Sequence, residues 1–314
     1  MKKITLILVI MAMMVVPVFA GGQQDSAADS GKTEIALIIK ATDSGFWQKV
    51  IEGGEAFDAE NPDVKVTIYG PASEADVEEA IGILENVVES RPDAIVIASN
   101  AGEGAVPAVN NALSLGIPVI TVDTKIPTDV TSHLATDNVL GGKLAADAMV
   151  AFFDEYGIEK NGTVAIVAAV AGVDTIIERD GGFIDQLKIL APDIKILDPR
   201  YVNNDIAKSL MTTEDLITTY DDLIGIYADN NHTGDGVAKA IEQAELKDKI
   251  MVVAFDDDED EIIALGDGVI KTLIIQDQFN MGYSGCAYAL KAINGETLPK
   301  FVDTGVKVTK KEDL

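Results

Sequence analysis

Ile38-Ile39-Lys40-Ala41-Thr42-Asp43-Ser44-Gly45-Phe46-Trp47 carries an apolar strand (Glu34 to Ile39) into a lysine and a polar turn, and two aromatics then open a helix. Trp47 is the only tryptophan in the chain. A strand that ends in a polar turn and restarts as a helix is the unit of an open α/β sheet. In such sheets ligands sit beyond the carboxyl ends of the strands, so this turn is expected to face a crevice. A cation and a flat aromatic face at that point suit a polyhydroxylated small molecule: the ring covers C–H faces and the charge bonds hydroxyls. A helix start also needs apolar residues toward the core, and one of the two aromatics is expected to serve there.

The same alternation runs along the chain. Strands are expected at Glu34–Ile39, Val64–Tyr69, Ala94–Ala98, Pro118–Val122, Thr163–Ala169, Ile194–Leu197, Leu223–Ala228, Ile250–Phe255 and Lys271–Ile275. Helices are expected near 45–60, 74–90, 104–115, 139–156, 177–189, 206–219, 234–244, 259–265 and 279–293. Continuous apolar, β-branched strands separated by helices describe parallel sheets covered on both faces. The series occurs twice, shifting near Thr136-Asp137, and no Gly/Ser- or Pro-rich linker divides the halves. Two similar α/β lobes joined by short crossing segments are therefore expected, a hinge rather than a tether.

At the N-terminus Lys2 and Lys3 precede an apolar run, Ile4 to Val16, and Val18-Phe19-Ala20 forms a small-x-small cleavage site. This is read as an export signal over residues 1–20, followed by a disordered lead-in over 21–32. No cysteine lies near the cleavage site to carry a lipid, and the expected location is the periplasm. The single cysteine, Cys286, lies in an apolar helical run and is expected to be a small buried side chain; with no disulfide available, stability must come from a large core. The formal charge of −28 becomes −30 without Lys2 and Lys3, which argues against nucleic acid or anionic membranes as partners and suits a soluble monomer.

Polar residues recur at the carboxyl ends of the strands. Lys40, Asp123, Asn230, Asp256 and Gln276 each follow one, and Arg179 begins the helix after Thr163–Val170. Two carboxylates, two cations and two amides offer fork-shaped donors and acceptors, a set that matches vicinal hydroxyls. Enzyme readings are weaker. His133 and His232 lie in no metal or nucleophile spacing, Gly282-Tyr-Ser-Gly-Cys286 lacks the second glycine of a nucleophile elbow, and Gly102-Glu-Gly104 lacks the third glycine of a dinucleotide loop. The run Asp256 to Glu261 places Glu261 where a calcium loop needs glycine, and is read instead as a solvated helix N-terminus. Asp123 and Asp256 could pair as glycosidase carboxylates, but neighbouring cations would lower both pKa values and remove the general acid. No cofactor, metal or catalytic residue is expected.

These residues resemble those of the ribose/allose branch of the periplasmic sugar-binding proteins, the type I solute-binding components of ABC importers. The local matches are Lys40…Gly45-Phe46-Trp47, Gly70-Pro-Ala-Ser-Glu-Ala-Asp76, Gly116-Ile-Pro-Val-Ile-Thr-Val-Asp123, Ala135-Thr-Asp-Asn138 with Gly141-Gly-Lys143, Glu178-Arg179…Gly182-Phe183, Ala228-Asp-Asn230, and Val252-Val-Ala-Phe-Asp256 with Gln276. The resemblance implies two Rossmann-like lobes (33–136 with 277–304, and 137–276 with 305–314) joined by three segments, near Thr136-Asp137, Gln276-Asp277 and Thr304-Gly305. It implies a monosaccharide enclosed between them without chemistry, and a membrane permease that receives it. Phe46 and Trp47 would hold the sugar ring, and Lys40, Asp123, Arg179, Asn230, Asp256 and Gln276 would bond its hydroxyls. Ser44 stands where ribose binders usually have asparagine, Thr124 where they have a charged donor, Asn204 where an aromatic covers the second ring face, and Asn231 where aspartate is frequent. Lys40, the Phe46-Trp47 pair and the Gly70–Asp76 stretch look closer to allose binders. A chemoreceptor or autoinducer carrier on the same fold, a polyol or nucleoside binder, and an exported glycoside hydrolase are the competing readings.

Overall fold

The computed structural model describes residues 31–42 and 44–314; the expected signal peptide, nearly all of the lead-in, and Asp43 lie outside the described residues. The strands are β1 (Thr33–Ile38), β2 (Val64–Tyr69), β3 (Ala94–Ile97), β4 (Val119–Val122), β5 (Ser132–Ala135), β6 (Thr163–Ala168), β7 (Lys195–Ile196), β8 (Arg200–Tyr201), β9 (Leu223–Ala228), β10 (Met251–Phe255), β11 (Ile270–Gln276), β12 (Phe301–Asp303) and β13 (Val306–Thr309). The α-helices are α1 (Gly45–Glu60), α2 (Val77–Ser90), α3 (Val106–Ser114), α4 (Asn138–Tyr156), α5 (Asp174–Leu190), α6 (Ile206–Thr219), α7 (Asn231–Gln243), α8 (Glu259–Gly266) and α9 (Gln278–Ile293). No described helix is long and apolar enough to cross a membrane.

The strands form two sheets, ordered β12-β5-β4-β3-β1-β2 and β13-β11-β10-β9-β6-β7, with β8 beside β6. Every pairing is parallel except β11 with β13. The central order is the same in both, one doubly wound series repeated. Its direction reverses between β1 and β3 in one sheet and between β6 and β9 in the other, and a ligand crevice opens at such a point. Each sheet is covered on both faces because its strands bury alternate residues in opposite directions. Ile35, Leu37 and Ile39 point toward α1 and α9, while Ala36 and Ile38 point toward α2 and α3. In the second sheet Val164 and Ile166 face α4 and α5, and Ala165 and Val167 face α6, α7 and α8.

Four strands lie outside the sequence-based expectation. β5 reads Ser-His-Leu-Ala, polar at two of four positions, yet all four residues are buried because Thr121 bonds His133 (2.9 Å) and the Pro299 carbonyl accepts from Ser132 (2.7 Å). β8, β12 and β13 are two to four residues long and supply no period of their own. Helix α5 begins at Asp174 rather than 177, so Arg179 sits in its second turn. The chain passes between the sheets three times: from β5 to α4 through Thr136-Asp137, from β11 to α9 through Asp277, and from β12 to β13 through Thr304-Gly305.

Candidate functional site

Two turns, one in each lobe, carry the same unusual backbone. Asp123 follows β4 with φ 61° and Asp256 follows β10 with φ 77°. Left-handed backbone on a non-glycine residue costs on the order of 1–3 kcal/mol and persists only where its surroundings enforce it. Here each amide is fixed to the neighbouring strand: Asp123 N–H donates to the Leu134 carbonyl (2.9 Å) and Asp256 N–H to the Ile274 carbonyl (3.0 Å). Both carboxylates are thereby turned over the strand ends, and both are buried.

Their surroundings differ. Lys40 Nζ donates to Asp123 Oδ2 (2.7 Å) and approaches Thr124 Oγ1 (2.6 Å), whose hydroxyl also donates to Asp123 Oδ2 (2.6 Å). Burial acts to raise the Asp123 carboxyl, but Lys40, Thr124 and the more distant Arg179 outweigh it and hold the group below its ordinary value. Asp256 has no such cation in contact. Gln276 Nε2 donates to its Oδ1 (2.8 Å) and Arg179 acts at longer range, and burial wins, pushing it up to about 6. Arg179 therefore acts on carboxylates from both lobes.

Arg179 is 4% exposed and held on three sides. Nε donates to Asn138 Oδ1 (2.8 Å), Nη1 to the Asp229 carbonyl (2.8 Å), and the guanidinium lies 4.1 Å from the Phe255 ring centroid. Asn230 caps α7 by accepting from Thr233 N–H (3.0 Å), and its Nδ2 donates to Asn204 Oδ1 (2.6 Å). Asn204, like Asn203, is in the left-handed region, with φ 55°. Behind Arg179, Asp180 and Asp229 are buried together with Tyr227. Neither Asp180 oxygen nor the Tyr227 hydroxyl has a partner, and burial, reinforced for Asp229 by Asp180, raises both carboxyls above their ordinary range.

In the first lobe Ser44 is the N-cap residue of α1, and its hydroxyl makes no cap bond. Phe46 is half-buried and meets Trp47 edge to face (centroids 4.8 Å). Trp47 departs from the expectation of a ring open to a ligand. It is 2% exposed within the core of α1, α9 and the sheet, its Nε1 donates to Glu74 Oε1 (2.6 Å), and Lys40 Nζ stands 5.2 Å from its centroid. The helix start thus sends Trp47 inward and leaves Phe46 at the surface, the two jobs that the sequence assigned to the pair without saying which residue takes which.

The acidic run opens α8 as expected, with Asp258 as N-cap and Glu259 and Asp260 exposed, and departs from a solvated helix start at its end. Glu261 is fully buried against Gly234, with one oxygen accepting from Asp258 N–H (3.3 Å) and the other unpartnered. Among the described residues no three His, Cys, Asp or Glu side chains are grouped to hold a metal ion. His133 is a core residue that burial pushes down to about 4, and burial pushes the Cys286 thiol up to about 12. Sequence reasoning missed Ser99 and Asn100, which follow β3 at the switch point; Asn100 Oδ1 is buried without a partner. The strand-end rule applied to Ala94–Ala98 finds both. It does not find Asn138 or Glu74, which act through other side chains.

The lobes touch across their opening. Lys49 on α1 pairs with Asp257 (2.5 Å), which also accepts from Gln278 (3.1 Å), and Lys125 pairs with Glu178 (3.1 Å). A cavity of about 390 Å³ at this mouth is lined by Gly45, Lys49, Asp235 and Asp257 to Asp260.

Residues 35–297 match the family model described as the periplasmic binding protein domain. The ribose import binding protein of Haemophilus influenzae is 27% identical over 288 residues, covering 90% of this chain and 93% of that protein. Among solved structures, a carbohydrate transporter solute-binding protein from Agrobacterium radiobacter in complex with D-arabinose superposes with a TM-score of 0.82 at 32% identity, over 91% of this chain and 96% of the other. An ABC transporter solute-binding protein from Agrobacterium vitis with bound D-fucose gives 0.79 at 34% identity, over 89% and 96%.

Proposed function

The chain belongs to the periplasmic binding protein family, and from that premise we propose that it captures a neutral monosaccharide between its lobes and presents it, closed, to the membrane permease of an ABC importer. Its relatives bind sugars for import and are not enzymes. The observation that carries the reading is the pair of strained aspartates, Asp123 and Asp256, one from each lobe, with the Arg179 charge acting on both. Acceptors and a bidentate donor brought from two sides match a ring of hydroxyls. Lys40, Ser44, Phe46, Thr124, Asn230 and Gln276 surround that pair in this reading, Asn204 faces the ligand through Asn230, and Trp47 backs the wall from the core. The lobes are assigned as 33–136 with 277–304 and 137–276 with 305–314. The acidic mouth disfavours anions such as sugar phosphates and leaves neutral sugars unaffected. Export to the periplasm and a monomeric state complete the proposal.

Contacts at about 1.5–3 kcal/mol for each charge-assisted bond, less ordering costs, suffice for the ~8 kcal/mol of a micromolar site. Ligand-stripped protein screened by thermal shift against pentoses, hexoses, polyols and nucleosides tests it. At a thousandfold excess over Kd a true ligand adds about 4 kcal/mol of stability, on the order of 10 °C in Tm. Arg179→Ala and Asp256→Ala should fold and lose that shift. An undiminished shift in both variants would refute the site.

A further inference from the structure

Asn138 is the first residue of α4 and follows the Thr136-Asp137 crossing directly. It is 4% exposed, and its amide is used in two directions: Nδ2 donates to the Thr136 carbonyl (3.2 Å) and Oδ1 accepts from Arg179 Nε (2.8 Å). A carbonyl can only accept and a guanidinium Nε–H can only donate, so the amide has one satisfactory orientation. One side chain thus grips the backbone of a crossing and the cation that acts on both aspartates.

The crossing is in turn tied to the others. Asp303 Oδ1 accepts from Asp137 N–H (3.1 Å) and from Gly305 N–H (2.9 Å), joining the first segment to the third. Asn280, in the first turn of α9 after the second segment, donates from Nδ2 to the Thr304 carbonyl (3.3 Å). A continuous set of hydrogen bonds therefore runs from Arg179 through Asn138 to all three segments.

We infer that Asn138 is a positioning residue that couples ligand engagement by Arg179 to the conformation of the hinge. The inference rests on the sugar-binding reading above and adds to it the part that converts a contact into closure. A ligand shifts a two-state equilibrium only through free energy that differs between the states. When hydroxyls fix the guanidinium, its Nε fixes Oδ1 of Asn138, and the opposite end of that rigid amide holds the Thr136 carbonyl in the orientation of the closed form. Without the amide, Arg179 keeps the Asp229 carbonyl and the Phe255 ring, so the cation stays in place and only its link to the crossing is lost.

The test compares wild type, Asn138→Ala, Asn138→Asp, Arg179→Lys and the Asn138→Ala/Arg179→Lys double variant. Affinity is measured by calorimetry and lobe closure by small-angle scattering, with whichever of D-ribose, D-allose, D-arabinose and D-fucose shifts the wild-type Tm most. Asn138→Ala should weaken binding about tenfold and reduce the change in radius of gyration on saturation. Asn138→Asp keeps the acceptor for Nε but sets an anion against the Thr136 carbonyl, and should bind with the closure change still reduced. Lysine has no Nε–H fork, so in the Arg179→Lys background the Asn138→Ala change should cost nothing further. Losses that multiply in the double variant, or full closure in both Asn138 variants, would overturn the coupling while leaving sugar binding intact. If none of the four sugars shifts the wild type, the binding reading fails for them and the coupling falls with it.

Discussion

Asp180 shows what residue-level chemistry adds to the strand-end pattern. It lies next to Arg179, buried, with neither carboxyl oxygen bonded, and burial raises it from 3.8 to about 7 against the pull of Arg179. A carboxyl that holds its proton more tightly when folded lowers stability as pH rises from about 4 to about 7, because the unfolded chain ionises first. Asp180→Asn should therefore leave stability at pH 4 unchanged and raise it at pH 8 by about 1–3 kcal/mol, the usual cost of an uncompensated buried polar group. Denaturant melts of both proteins across that range check it, and an unchanged difference between pH 4 and pH 8 contradicts it. None of this was legible in the sequence. Asp180 and Asp229 are separated by 49 positions, and only the fold brings both close enough to act on Tyr227. Lys40, Asp123, Asp256 and Gln276 were legible because each stands at or just beyond the carboxyl end of an apolar strand. Asn138 was not, since its partner is another side chain.

At the scale of elements, the helix pairs that carry the site pack glycine against backbone. A methyl group at Gly142 on α4 would lie 2.0 Å from the Arg179 carbonyl oxygen and 2.8 Å from the Phe183 nitrogen, and one at Gly182 on α5 would lie 2.3 Å from the Val139 carbonyl oxygen. The other lobe repeats the device, with Gly53 of α1 against Phe279 and Gly282 of α9 against Val50. Gly142→Ala should push α5 outward, destabilise by about 1–3 kcal/mol, and weaken sugar binding because Arg179 moves with its helix. Gly181→Ala, whose added methyl meets nothing within 4 Å beyond its chain neighbours and its own helix backbone, should do neither, and serves as the control in the same melts and titrations. Equal effects of the two substitutions would show that the close approach is not what matters. The α/β alternation itself was readable because strands covered on both faces are continuous apolar runs. β5, β12 and β13 were not, since their burial or pairing comes from partners distant in sequence.

For the whole molecule the question is what holds the lobes together. The ion pairs that cross the opening, Lys49–Asp257 and Lys125–Glu178, each have a side chain more than a third exposed, and such pairs contribute about 0–1 kcal/mol. Taking a hinge from 1:99 to 99:1 in favour of the closed form needs about 5.5 kcal/mol. The pairs fall short of that by themselves, so closure is expected to need a ligand that bonds Asp123 from one lobe and Arg179 and Asp256 from the other. The repetition of the strand series foretold two lobes and their hinge, whereas the ion pairs across the opening depend on residues such as Lys49 that look like ordinary helix surface. Small-angle scattering of the ligand-stripped protein, alone and saturated with the sugar that most raises its Tm, tests this most directly. The radius of gyration should fall with sugar in wild type and stay the same in Arg179→Ala. A sugar that binds wild type tightly while the radius stays the same would contradict it.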